Sequence, residues 1–92
     1  MGKGVTFTKH ALERMAERNA SQEFIETVVS GEAKAISFPS PKDGSIRMAI
    51  AKDGSGMFWA VIYSGKIVIT VRRAHKPEEK RYEKAFDAKE GS

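Results

Sequence analysis

The sequence contains no cysteine, so disulfide bonds and thiolate metal clusters are excluded. Its two histidines are too few for a structural zinc site without help from carboxylates, and no metal-binding motif is present. We therefore expect no metal or other cofactor. No apolar run approaches the roughly 20 residues of a transmembrane helix, and no stretch has the pattern of a secretory signal peptide. Together these absences favour a cytoplasmic protein with no membrane partner.

The chain does contain an ordinary apolar fraction and an excess of positive charge. Ninety-two residues, 40% of them hydrophobic, favour a single domain over residues 1–92. Sixteen lysines and arginines oppose twelve acidic residues, which gives a net charge of +4. The pI near 9.5 favours an acidic partner, with nucleic acid as the first candidate.

The segment from Thr8 to Arg18 has the clearest helical pattern in the sequence. Thr8 is a suitable N-cap because its hydroxyl can accept a hydrogen bond from a free N–H group of the first turn. At about 100° per residue, one face gathers apolar side chains that we expect to be buried. These are Ala11, Leu12, Met15 and Ala16.

The opposite face of this helix is a candidate phosphate site. His10, Arg14 and Glu17 fall within roughly 60° of one another, and Arg18 lies about 40° past Arg14. A neutral imidazole beside guanidinium groups can take a proton from a ribose 2′-hydroxyl, while the guanidiniums bind the phosphate oxygens. The alternative is a solvated helix face with weak ion pairs, such as Glu17 with Arg14.

The remaining elements are predicted from caps, turns and a change of period. Val5–Phe7 is a short strand, and Ser21 and Gly31 bound a second helix that should form a hairpin with the first. Alternating residues then predict four strands, with a two-residue turn at Ser64-Gly65. The four are 33–38, 46–50, 57–63 and 66–73. Pro77 suits the first position of a last helix over about residues 77–88.

These elements predict an α+β fold in the order β-α-α-β-β-β-β-α. The N-terminal helical hairpin packs on a four- to five-stranded antiparallel sheet, with the core in residues 5–73. In the last strand, alternation places Ile67, Ile69 and Val71 on one face. Val68, Thr70 and Arg72 then face the other way.

The last strand supplies further candidates for binding nucleic acid. Thr70 and Arg72 share one face of the strand, and a basic run follows it. The nucleic-acid-binding candidates are Arg72, Arg73, His75 and Lys76. Trp59 can stack on a base, but its apolar strand favours a core position, and Tyr82 is likewise expected to pack.

Residues 7–18 resemble the opening signature of a bacterial and phage family, the domain-of-unknown-function family 4258. The shared pattern is His-Ala-x-x-Arg-Met-x-x-Arg, and the resemblance extends over residues 5–73, although Asn19-Ala20 replaces the usual Gly-Ile. That family is similar to RelE-like ribonuclease toxins and to barnase-like and colicin-like nuclease domains. The resemblance implies a RelE-like fold and a catalytic site of His10, Arg14, Arg18 and Thr70.

Three functions follow as hypotheses. The first is a metal-independent endoribonuclease that cleaves tRNA or mRNA. The second is a module that binds RNA or DNA without cutting it. The third is a small phage or bacterial accessory protein whose basic face binds an acidic partner, such as an antitoxin or immunity protein.

Overall fold

The structure is a computed structural model that describes residues 4–91, with side chains described as far as Phe86. Its elements follow the predicted order. They are β1 (Thr6–Phe7), α1 (Lys9–Arg18), α2 (Gln22–Ser30), β2 (Ile36–Pro39), β3 (Arg47–Lys52), β4 (Phe58–Ser64), β5 (Ile67–Arg73) and α3 (Lys76–Gly91).

The sheet has five strands in the order β1-β5-β4-β3-β2. Strands β2 to β5 form an antiparallel meander, whereas β1 pairs with β5 in parallel. The α+β prediction is confirmed, and the sheet is mixed because the first strand joins its edge. The chain between β1 and β5 includes two helices and three strands, a crossover long enough to join parallel neighbours.

The predicted helix boundaries rest on local capping chemistry. The Thr8 hydroxyl accepts a hydrogen bond from the Ala11 N–H at 3.0 Å, and the Ser21 hydroxyl accepts one from Phe24 at 3.2 Å. Asn19 ends α1 in the left-handed conformation at φ 57°, and Gly31 ends α2 at φ 91°. Threonine and serine favour N-caps because their hydroxyls accept hydrogen bonds from free N–H groups of the first turn. Asparagine and glycine favour helix C-termini because they tolerate the left-handed conformation.

Helices cover both faces of the sheet. On one face, α1 lies over β5 and α2 lies over β3 and β4. Their core includes Met15, Ile25, Trp59, Val61, Val68 and Val71. On the other face, α3 contributes Tyr82, which packs with Ile50 and Ala60. The C-terminal helix therefore belongs to the folded core, and the prediction that Trp59 and Tyr82 are core residues is confirmed.

The predicted apolar face of α1 is wrong for two of its four residues. Ala11 and Met15 are buried, but Leu12 is 45% exposed and Ala16 is also exposed. The reason is that α1 lies over β5, next to the edge of the sheet. Only the residues one helical turn apart on a narrow side of α1 therefore contact the sheet. Leu12 and Ala16 line an open groove of about 380 Å³ beside the α1–α2 turn, together with the polar residues Asn19 and Gln22.

The simple alternation predicted for β5 is also wrong. Thr70 pairs with Ile62 and Val68 pairs with Tyr63, so Ile69 has no counterpart on β4. This β-bulge lets Val68 and Val71 both enter the core under α1, although they are three residues apart. Ile67, which the alternation places on the same face as Val71, is 48% exposed, whereas Val71 is buried. The β4–β5 connection is Gly65-Lys66, one residue later than predicted, with Gly65 at φ 60°.

The turn before β4 is held by a single carboxylate. Asp53 accepts hydrogen bonds from the Trp59 Nε1–H at 2.8 Å, the Ser55 hydroxyl at 2.7 Å and the Met57 N–H at 3.0 Å. Burial raises the pKa of Asp53, but these hydrogen bonds outweigh it and lower the pKa to about 2. The turn therefore gives the buried Trp59 ring a partner for its only polar atom.

We expect Asp53→Asn to be less stable than the wild type at neutral pH. Because the folded-state pKa lies below the ordinary 3.8, the ionised carboxylate stabilises the fold above that pH, and this contribution is lost as the pH falls toward 2. Urea unfolding at pH 7 and pH 2.5 measures the difference, which should shrink at the lower pH. Asp43→Asn is the matched control, since among the described residues the Asp43 carboxylate accepts hydrogen bonds from Ser45 alone. An equal loss in both variants would contradict the role of Trp59.

Candidate phosphate-binding cleft between α1 and β5

The position of α1 relative to β5 is fixed by the Thr8 side chain. While its oxygen caps the helix, the Thr8 hydroxyl donates a hydrogen bond to the Ile69 carbonyl at 2.9 Å. The Thr8 N–H also donates to the Val68 carbonyl at 3.0 Å. The first turn of α1 is therefore joined directly to β5 at its bulge.

A cleft of about 310 Å³ opens where α1 passes the edge of β5. Strand β1 ends at Phe7, opposite Val68, so the edge of β5 beyond this point is not paired with β1. The cleft is lined by His10, Arg14, Arg18, Thr70, Val71 and Arg72. All four residues implied as a catalytic site are thus in one cleft, and Arg72 lies beside them.

The helix side of the cleft is a line of exposed basic side chains. His10, Arg14 and Arg18 are four residues apart, so each step rises about 6 Å along the helix axis. No side chain in the described part of the chain hydrogen-bonds the His10 imidazole. The imidazole is therefore accessible to a ligand, while the guanidiniums provide planar donors for phosphate oxygens.

Arg14 already has a neighbouring carboxylate, as the alternative interpretation of this face predicted. Its Nη1 lies 3.1 Å from Glu17 Oε1, and the two side chains are 46% and 60% exposed. An exposed pair of this kind is worth at most about 1 kcal/mol and is screened by salt. A phosphate can therefore compete with Glu17 for this guanidinium.

Arg72 forms a much stronger pair with Glu78, in the first turn of α3. Nη1 lies 2.9 Å from Oε1 and Nη2 lies 2.8 Å from Oε2, so the pair is bidentate. The hydrogen bond from Arg72 is the main cause that lowers the pKa of Glu78, and the hydrogen bond to Glu78 raises the pKa of Arg72. This wall of the cleft is an ion pair and not a free cation.

The other basic candidates lie outside the cleft lining. The Arg73 guanidinium lies 5.8 Å from the centre of the Trp59 ring, on the α1 and α2 face of the sheet. His75 and Lys76 are exposed at the start of α3. Of the four nucleic-acid-binding candidates, only Arg72 shares the cleft with the helix residues.

Glu78 is the residue of this region that sequence reasoning missed. Its Oε1 also accepts a hydrogen bond from the His75 backbone N–H at 2.8 Å, which is half of a capping box. A glutamate three residues after the N-cap position, His75, is a usable sequence signal for that cap. Nothing local in the sequence links the same carboxylate to Arg72, because that contact depends on where α3 docks.

No protein-family model matches this chain, and no curated protein or solved structure matches it significantly. Within the part of the chain that the structure describes, no three histidine, aspartate or glutamate side chains form a group able to hold a metal ion. None of the described helices is both long and apolar enough to cross a membrane.

We expect Thr8→Val to destabilise the fold by about 1–2 kcal/mol, because it removes the cap and leaves the Ile69 carbonyl without its donor. Thr8→Ser keeps the hydroxyl and should stay within about 0.5 kcal/mol of the wild type. Urea unfolding at pH 7 compares the three proteins. Equal stability of the valine and serine variants would show that the hydroxyl does not hold α1 on β5.

Proposed function

We propose that this protein is an endoribonuclease that cleaves RNA without a metal ion. The observation that supports the proposal is the cleft itself, in which one imidazole and two helix guanidiniums lie beside Thr70 and Arg72. The resemblance of residues 7–18 to family 4258, and through it to RelE-like toxins, points in the same direction. In the cytoplasm, tRNA and mRNA are the candidate substrates.

The proposed reaction is a transesterification that forms a 2′,3′-cyclic phosphate and releases a 5′-hydroxyl. His10 takes the proton of the 2′-hydroxyl, and the 2′-oxygen attacks the adjacent phosphorus to form a 2′,3′-cyclic phosphate. The bond from phosphorus to the 5′-oxygen breaks, and that oxygen takes a proton from water, while the proton held by His10 returns to the solvent. Arg14 and Arg18 bind the phosphate oxygens as negative charge develops, and the Thr70 hydroxyl donates a further hydrogen bond.

Cleavage of tRNA and mRNA in EDTA tests this proposal. The wild type should cut in EDTA, and His10→Ala should cut 10²- to 10⁴-fold more slowly, which is the usual contribution of a general base. Lys9→Ala is the control, because Lys9 is an exposed cation on the same turn but outside the cleft lining. It should remain within about threefold of the wild type.

Two results would contradict the endoribonuclease. One is the absence of cleavage by purified wild type. The other is an unchanged rate in His10→Ala, which would assign the activity to another site or to a contaminant.

A non-catalytic RNA- or DNA-binding module is the second candidate, and two features favour it. No described side chain orients the His10 imidazole, and Arg14 and Arg72 already have carboxylate partners. Binding does not need an oriented base, and it needs fewer available arginines than the stabilisation of a transition state does. An acidic antitoxin or immunity protein is a third candidate occupant of the same cleft.

The binding module predicts salt-sensitive association with RNA and no product. The logarithm of the association constant should fall with the logarithm of salt concentration by about 0.7 per phosphate contact on a single strand. Fluorescence anisotropy measures the slope, and gel analysis of the same samples detects cleavage. Appearance of a 2′,3′-cyclic product would exclude this candidate.

A further inference from the structure

The arginines of the cleft differ in how much of their hydrogen-bonding capacity the protein already uses. Both terminal nitrogens of Arg72 are occupied. Nη1 donates to Glu78 and, at 3.1 Å, to the Arg73 carbonyl, while Nη2 donates to Glu78 and lies 3.8 Å from the Met48 sulfur. A phosphate approaching the two terminal nitrogens of Arg72 would therefore have to displace existing partners.

Glu78 is held in place from a second direction. Its carboxylate accepts the His75 N–H as well as both nitrogens of Arg72, and its side chain is 16% exposed. A bidentate, partly buried pair is stronger than a single exposed contact. Arg14 differs in this respect, since one exposed contact with Glu17 is its only ion pair among the described residues.

The available positive charge consequently lies along α1 and not across the cleft. Arg14 and Arg18 are one helical turn apart, and His10 is one turn further toward β5's bulge. The volume of about 310 Å³ is at the small end of ligand sites, which suits part of one flexible strand and not a duplex.

We infer that the phosphate backbone of a single RNA strand runs along α1, bound by Arg14 and Arg18, and that Glu78 keeps Arg72 from acting as a phosphate ligand. The inference rests on the proposed function and specifies its substrate and the limits of its binding site. Glu78 acts through Arg72 and is a positioning residue.

The salt dependence of binding to 2′-O-methyl RNA tests this inference, because that RNA cannot undergo attack by a 2′-hydroxyl. The slope of log Ka against log salt counts phosphate contacts, at about 0.7 each on a single strand. Arg14→Gln and Arg18→Gln should each reduce the slope by about 0.7. Both positions are exposed, so these variants should fold normally.

Glu78→Gln should have the opposite effect. Loss of the carboxylate charge frees Arg72 for a phosphate, so the slope should rise by about 0.7 and binding at low salt should tighten. The double variant Arg72→Gln with Glu78→Gln should return to the wild-type slope. A merely structural role for Glu78 would weaken binding and could not strengthen it.

Several results would overturn the inference. The first is an unchanged slope in both Arg14→Gln and Arg18→Gln. The second is an unchanged or lower slope in folded Glu78→Gln. The third is binding of a 2′-O-methyl RNA duplex with the same affinity as the single strand. Expected slopes without any cleavage of ordinary RNA by the wild type would sustain the inference and remove the endoribonuclease. Cleavage of ordinary RNA together with any of these unexpected slopes would support the endoribonuclease and overturn the inference. If the wild type bound no RNA, both the endoribonuclease and the inference would be overturned.

Discussion

The Thr8 hydroxyl is the contact on which the candidate cleft depends. Its oxygen accepts a hydrogen bond from the Ala11 N–H of α1, and its O–H donates to the Ile69 carbonyl of β5. The start of the helix and the edge of the sheet are therefore joined through one side chain. Strand β1 has only two residues and is too short to orient the helix by itself. Below this point, burial of Ala11 and Met15 holds the rest of α1 against the sheet. The basic stripe of α1, which is His10, Arg14 and Arg18, is therefore held beside β5.

Helix α3 lies on the opposite face of the sheet from α1 but influences the same cleft. Its first turn extends Glu78 to Arg72 at the sheet edge, while Tyr82, one turn further along, is buried against Phe58 and Phe86. Capping of α3 and neutralisation of one cleft wall thus depend on one carboxylate. Docking of α3 and the electrostatic character of the cleft are consequently coupled.

Features that depend on neighbouring residues could be predicted from the sequence. Thr8, Asn19, Ser21 and Gly31 mark the ends of two helices because their side chains or backbone conformations act within a few residues. The stripe of His10, Arg14 and Arg18 follows from helical geometry alone.

Features that depend on distant parts of the chain could not be predicted. The parallel pairing of β1, the exposure of Leu12 and the Arg72–Glu78 pair all follow from where elements dock. Helical periodicity shows which residues share a face, but it does not show how wide the covering surface is. That limit explains why helical periodicity predicts a buried Leu12, although this side chain is exposed in the structure.

The bulge in β5 has a consequence for the way in which the helix is attached. If Ile69 were deleted, Val68 and Thr70 would be neighbours in a regular ladder opposite Tyr63 and Ile62. Each of these residues would then keep its present face of the sheet. The additional residue is therefore not needed to build the sheet. Its carbonyl is the acceptor for Thr8. An additional residue in an otherwise regular strand thus provides an attachment point for a helix. Deletion of Ile69 would leave the pairing of β5 with β4 intact, but it would remove the carbonyl to which Thr8 binds.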